Sequence, residues 1–338
     1  MQRDISLISR YGLVFAFIAI IVLFSVLRPD AFLTTRNFGS IMSDNAVLML
    51  IALGIMVPLV VGQFDLSPGF VASLGAMLTA GLLTRQGLPW PAVLVIVVLV
   101  GCAIGLLMGI LVGYLQLNSL IVSLGVGSAI SGFVLLYSNG EIIFNGIPAS
   151  FTVIGQTRLF GFLPLPFIYA MIAAIVIWYV LTYLPVGRRL YAIGGSQEAS
   201  RLIGININKY IAISFVVSSG MASLAGFVQV ARLGAGHPTS AQAFLLPAFA
   251  AAFLGATAIR PGFYNIWGTV IAVFLVGAGT TGLFMLGAQA YVQPIFNGAI
   301  LVLAVTLSRV AVLRRAKALA RAAAMRDTTP PAAVASNA

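Results

Sequence analysis

Glu198 and Arg201, bracketed by Ser196 and Gly204, form the polar stretch whose residue types and spacing are most informative in this chain. Ser196 suits an N-cap, Glu198 then falls in the first turn, Arg201 lies toward the end, and Gly204 fits a C′ stop. That describes a helix of about two turns with Ala199, Leu202 and Ile203 on one face. So short a helix is marginal alone in water. It needs a surface to dock on, and the small side chains of Ala199 and Ser200 let a partner approach closely. The chemistry on offer is recognition. No catalytic residue is assigned.

Asp65 is the second candidate. It lies between two charge-free stretches and beside Ser67-Pro68, a helix-start signal in which Pro takes the first helical position. A carboxylate at or near membrane depth is a functional hypothesis, as a ligand for solute hydroxyls or as a gate. The alternative is that it caps a broken helix or a turn by bonding to backbone, and residue type alone leaves both open. Gln63, Phe64 and Ser67 flank it, and Asn45 lies in the preceding apolar run. These five are the candidate pathway residues, because each hydroxyl of a polar solute leaving water must find a partner. Ser123, Ser128, Ser131, Ser218, Ser219, Ser223, Gln229 and Asn297 are further polar groups in apolar runs. In membrane helices such groups serve mostly interhelical packing and hydrogen bonding.

Cys102 and His237 are the single Cys and His, so neither a disulfide framework nor a Cys/His metal site is expected. His237, beside Pro238, reads as a loop or helix-capping residue. There is no Gly-x-x-x-x-Gly-Lys-Ser/Thr stretch, and Lys209 and Lys317 follow no glycine-rich turn. ATP-driven work by this chain would need the nucleotide to be bound by another polypeptide.

The elements that must position these residues follow from the scarcity of charge. Of 338 residues 7% are charged and 61% are hydrophobic, and the mean hydropathy is +1.09. A soluble domain carries about 25% charged residues. So few charges cannot cover a globule in water, which excludes a soluble enzyme, a nucleic-acid binder and a disordered chain. A helical span needs about 20 mostly apolar residues. The long charge-free runs are 11–27, 45–64, 66–84, 86–140, 159–187, 210–231, 233–259 and 261–308. They lack the alternation of a barrel strand. The run 86–140 holds two spans around the turn Gln116-Leu117-Asn118-Ser119, and 261–308 holds two, broken near Leu286-Gly287-Ala288-Gln289. Residues 142–157 read as loop. Gly101, Gly105, Gly109 and Gly113 make a ladder on one helix face, a seam for close packing.

Charge sets the orientation. The loop 185–209 carries Arg188, Arg189, Arg201 and Lys209, and the segment after residue 308 carries six more basic residues. The positive-inside rule puts both in the cytoplasm. An even number of crossings must then join them, so the short apolar stretch 244–258 is expected to cross. The expectation is an all-α polytopic membrane protein of ten spans with both termini cytoplasmic. Residues 1–10 form a cytoplasmic N-terminus, 11–308 a single transmembrane domain, and 309–338 a basic tail lying along the anionic inner leaflet, its end disordered. Residues 11–27 are followed by Arg28-Pro29-Asp30, which is not a cleavage site, and read as the first span.

Four stretches carry a family resemblance. Glu198-Ala199-Ser200-Arg201-Leu202-Ile203-Gly204-Ile205-Asn206 resembles the coupling loop of ATP-binding-cassette importer permeases. Gly187-Arg188-Arg189-Leu190-Tyr191-Ala192-Ile193-Gly194-Gly195 and Gly62-Gln63-Phe64-Asp65-Leu66-Ser67-Pro68-Gly69 are similar to motifs of the branch that imports ribose and related monosaccharides, as is Ala231 to Thr239. The resemblance covers roughly residues 30–309. It implies a bacterial inner-membrane permease that takes a monosaccharide or polyol from an external solute-binding protein. It also implies that Glu198, Ala199, Ser200, Arg201 and Gly204 couple to a cytoplasmic ATPase subunit, which holds the ATP and Mg, this chain binding no cofactor. A second permease chain would complete the pore; membrane lipid surrounds it, and no nucleic acid is involved. The alternatives are an ion-coupled secondary transporter, which needs intramembrane carboxylates, and a permease for branched-chain amino acids or nucleosides.

Overall fold

An apolar segment with no water to satisfy its backbone resolves that problem locally by becoming a helix. The computed structural model describes residues 2–307 and Val310, with side chains from Tyr11 onward. Helices α1 (Gln2–Leu27), α2 (Pro29–Phe32), α3 (Thr35–Val60), α4 (Pro68–Thr84), α5 (Trp90–Gly113) and α6 (Ser119–Ser138) form the first half. Then come α7 (Ala149–Gln156), a small antiparallel hairpin of β1 (Arg158–Leu159) and β2 (Leu163–Pro164), α8 (Leu165–Tyr183), α9 (Pro185–Gly195), α10 (Gln197–Leu202) and α11 (Ile207–Leu233). A 3₁₀ turn (Gln242–Phe244), α12 (Leu245–Gly255), α13 (Ile266–Met285) and α14 (Val292–Leu307) complete the described chain. The basic tail expected over 309–338 lies outside the described residues apart from Val310.

The expected turns are where the polar residues put them. Asn118 caps α6, its side chain accepting from Leu120 N and Ile121 N, and Gln116 turns the chain with φ of 58°. Six helices, α3, α5, α6, α8, α11 and α13, are long and apolar enough to cross a membrane. The chain is a helical polytopic membrane protein. The other four expected spans fall on shorter apolar helices of 10–17 residues: the Tyr11–Leu27 part of α1, α4, the Gln242–Gly255 segment and α14.

Three expectations need correction. Residues 142–157 are not all loop: α7 forms there because Phe151 buries its ring against Phe227, centroids 5.1 Å apart, and Gly155 lets its backbone meet that of Ala231. The span expected over 45–64 starts earlier and stops earlier, as α3. Asp44, one residue ahead of that run, therefore lies within a helix, and it pairs with Arg232 near the end of α11. Residues 185–195 form a second helix ahead of the short one, nucleated by Pro185 at its first position. Within the expected span 244–258, α12 itself has 11 residues. At 1.5 Å per residue that is roughly 16 Å, about half the hydrocarbon thickness.

The core is organised around α11, which packs against α3, α4, α5 and α7. In α3 89% of the apolar window is buried, against 28% in α8 and 33% in α5 and α6. Thus α3 and α11 are central, and α5, α6 and α8 turn an apolar face outward. The glycine ladder is the α5–α11 seam: a Cβ built on Gly109 would stand 2.5 Å from Ala212 Cα, and one on Gly113 would stand 2.7 Å from the Asn208 carbonyl. Gly132 on α6 has nothing within 4 Å of that position. Gly109→Val is expected to force the two helices apart, costing about 1–3 kcal/mol or more, and to lower the melting temperature in detergent. Gly132→Ala should leave it unchanged or raised. Equal melting temperatures for the two variants would contradict a tight seam.

Candidate functional site

Two regions gather the residues singled out by sequence. The first is α10. Ser196 adopts an extended backbone and its side chain accepts from Ala199 N at 3.2 Å, Glu198 stands in the first turn, and Arg201 in the last. Gly204 ends the helix in the left-handed region, φ 79°, its N–H donating to the Arg201 carbonyl at 3.0 Å. Asn206 then caps α11 by accepting from Lys209 N. Glu198, Ala199 and Arg201 are exposed, and so are Leu202 (87%) and Ile203 (73%). These two side chains leave the end of α10 with an uncovered apolar face. Ser200 is different. It is 2% exposed and turned into the chain, so it does not offer the partner-facing small side chain expected of it.

Helix α9 is the platform beneath. Leu190 and Ile193 are buried, and Gly194 lies against the Val60 carbonyl so closely that no side chain fits between. Arg189 donates to the Tyr210 hydroxyl on α11 and lies over its ring. Tyr191 donates to the Tyr264 carbonyl at 2.7 Å; burial pushes its phenol up and Arg260 partly opposes that. Sequence reasoning missed this platform, although Pro185 at a helix start and Val186, Leu190 and Ile193 at helical spacing were the available signals. Residues 185–209 carry Arg188, Arg189, Arg201 and Lys209 against one acid, Glu198, and Arg260 lines a groove with Arg188.

The second region is the break between α3 and α4. Val61 N and Gln63 N turn back to the Pro58 carbonyl, Gly62 adopts φ of 80°, and Phe64 N donates to Ser119 Oγ at 3.2 Å. Asp65 Oδ1 accepts from Ser67 N at 2.9 Å and from Ser67 Oγ at 2.6 Å, while Pro68 opens α4. Both Asp65 and Ser67 are fully buried. The carboxylate thus braces the turn into α4. The Ser218 hydroxyl of α11 stands beside it, yet neither Asp65 Oδ2 nor Ser218 Oγ completes a hydrogen bond. Gln63 is half-buried, and Phe64 is exposed, its ring 6.4 Å from that of Phe253 on α12. Gly69 in the first turn of α4 abuts Gln242 and Leu245 at the start of α12. Two interrupted helices therefore begin side by side, an arrangement no local pattern revealed.

Asn45 does not join this group. It is buried at the α3–α13 contact against Gly277, its amide donating to the Ile41 carbonyl at 2.8 Å one turn earlier. No cluster of three or more His, Cys, Asp or Glu that could hold a metal occurs among the described residues.

With this geometry in view, residues 37–305 match the family described as branched-chain amino acid transport system / permease component. The chain is 33% identical to the D-allose transport system permease protein AlsC of Escherichia coli (strain K12), over 89% of this chain and 92% of that protein. It is 32% identical to the ribose import permease protein RbsC of the same strain, over 86% of this chain and 90% of that one. With the galactose/methyl galactoside import permease protein MglC, also of that strain, it shares 26% identity over 90% of this chain and 96% of that protein. No solved structure matches it. Apolar helices, a bared aliphatic helix at the basic end, an interrupted helix pair and this extended match agree: the chain belongs to the family of transport-system permease components, and is a transport subunit rather than an enzyme.

Proposed function

We propose that this chain is the transmembrane subunit of an ATP-driven importer that moves a monosaccharide or related polyol. The observation that carries this reading is a match along nearly the whole chain with permeases named for allose, ribose and galactose. The family description mentions branched-chain amino acids, but these relatives favour the sugar. The solute arrives from an external binding protein, and the chain sits in the bacterial inner membrane beside a second permease chain. Ten apolar segments make ten crossings with both termini in the cytoplasm, the short α12 completing its own with the irregular backbone at its ends, and the basic end around α10 is then inside.

In this arrangement α10 docks on a cytoplasmic ATPase that holds the ATP and Mg. Leu202 and Ile203 supply the apolar contact, with Glu198, Ala199, Arg201 and Gly204 around them and Ser200 anchoring the helix from below. Closure of the ATPase moves α9, which bears on the end of α3, and hence the 61–67 break. The solute passes the break where Phe64 and Gln63 are accessible, while Asp65 and Ser67 hold its shape. Alternating access then follows from a shift between two arrangements of these interrupted helices. An ion-coupled transporter is less well supported, since its coupling carboxylate would be Asp65, already engaged with Ser67.

Two measurements test this. Glu198→Lys should reduce co-purification with the ATPase subunit, or ATP-dependent uptake, by roughly tenfold or more, equivalent to about 1.4 kcal/mol, with the melting temperature unchanged. Full uptake by this chain alone under a proton gradient overturns the reading. Asp65→Ala strands the buried Ser67 donors at a cost of about 1–3 kcal/mol and should lower both melting temperature and transport. Asp65→Asn keeps an acceptor at Oδ1 and should retain most of both. A stable Asp65→Asn variant without transport would make Asp65 a solute ligand instead of a brace.

A further inference from the structure

A cavity of about 420 Å³ opens between the end of α8, the start of α9 and the 256–266 connection into α13. Trp178, Tyr191, Phe263 and Trp267 wall it, and Arg188 and Arg260 contribute the charge. Neither arginine has a carboxylate within ion-pair distance among the described residues, where the ion pair is Arg232–Asp44 at the opposite end of the bundle. Asn265, also in the lining, is already committed. Its amide donates to the Gly255 and Ala258 carbonyls and its oxygen accepts from Gly268 N. The groove therefore presents two guanidinium groups with no internal counter-charge, a combination that favours an anion with several acceptor oxygens, such as a phosphate.

Its position narrows the ligand further. Trp178 lies in the last turns of α8 and Trp267 in the first turn of α13, and both helices are long and apolar enough to span. Their rings stand 6.0 Å apart, and Tyr183 packs edge-on to Trp178 at 5.5 Å. Tryptophan and tyrosine at helix ends mark the level where hydrocarbon gives way to headgroups. Most of α8 is unburied, so its outer face meets lipid. A free anion in water would use only the arginines. The aromatic wall continuous with a lipid-facing helix suits a phosphate that carries acyl chains.

We infer that this groove binds the headgroup of an anionic phospholipid, held by Arg188 and Arg260 with its chains along α8 and the Trp178–Trp267 pair. Basic pockets between spans are recognised as sites for acidic headgroups. None of the seven lining residues named here belongs to the α10 surface or the α3–α4 break.

The chain has three tryptophans, so a Trp90→Phe background confines fluorescence to the two in the groove. In phosphatidylcholine vesicles, brominated phosphatidylglycerol should quench that fluorescence at lower mole fraction than brominated phosphatidylcholine. Arg188→Gln with Arg260→Gln should weaken the phosphatidylglycerol preference on the order of tenfold, while Arg188→Lys with Arg260→Lys keeps most of it and guards against misfolding of the neutral variant. Excess inorganic phosphate should not abolish the preference. Equal quenching by the two lipids, an unchanged preference in the neutral variant, or full displacement by inorganic phosphate would each overturn the assignment.

Discussion

Backbone meeting backbone along α11 is the contact on which the rest of this bundle depends. Gly101, Gly105, Gly109 and Gly113 bring α5 onto one side of it, Gly54 brings α3, Gly75 brings α4 and Gly155 brings α7. In a bilayer there is little hydrophobic gain from bringing helices together, because lipid is as apolar as their side chains. Association must come from close packing, and small residues are what permit it. The aliphatic side chains are free to face outward, as Leu99, Leu106 and Leu107 on α5 do. The usual arrangement of a soluble core is partly inverted, with the smallest residues at the tightest contacts.

A spine packed in this way leaves little freedom where the glycines lie, and the interruptions stand out against it. Residues 61–67 are one and residues 234–241 the other, each leading into a helix that begins beside its counterpart. Interrupted helices are tolerated inside a membrane protein where their loose backbone groups find partners. Here Ser119 and Asp65 provide some of those partners. The polar atoms that stay unsatisfied nearby, Asp65 Oδ2 and the hydroxyls of Ser218 and Ser219, sit on α11 and at the same break. Unpartnered buried atoms also occur at Gln229, Arg232, Gln242 and Asn297, so the break is one of several places where the described bundle carries unmet polarity.

Much of this was legible in the chain because its signals are local. Charge gaps are set by the hydrocarbon thickness, so they mark apolar helices; Ser196, Gly204, Asn118 and Pro68 mark helix ends through their own hydrogen-bonding and dihedral preferences. The glycine ladder foretold a seam for the same reason. What stayed hidden depends on partners distant in sequence. Helix α7 exists because Phe227 and Ala231 wait for Phe151 and Gly155, and a segment rich in Gly, Pro and Asn just before it masked that. The Asp44–Arg232 ion pair joins residues 188 apart in sequence. The inward turn of Ser200 and the meeting of α4 with α12 were likewise fixed by packing across the bundle, which no window of neighbouring residues contains.

The contact of Gly194 with the Val60 carbonyl has a mechanical side. Where two side chains meet, a push is absorbed first by rotamer changes and only then passed on. Here the main chain of α9 bears directly on the main chain at the foot of α3, with nothing compressible between them. A load placed on α10 therefore reaches the first residues of the 61–67 break through a rigid strut, and a displacement well under the length of a side chain is delivered undiminished. At this joint a single added methyl group would act as a wedge, holding the two helices in one relative position whatever happens at either end.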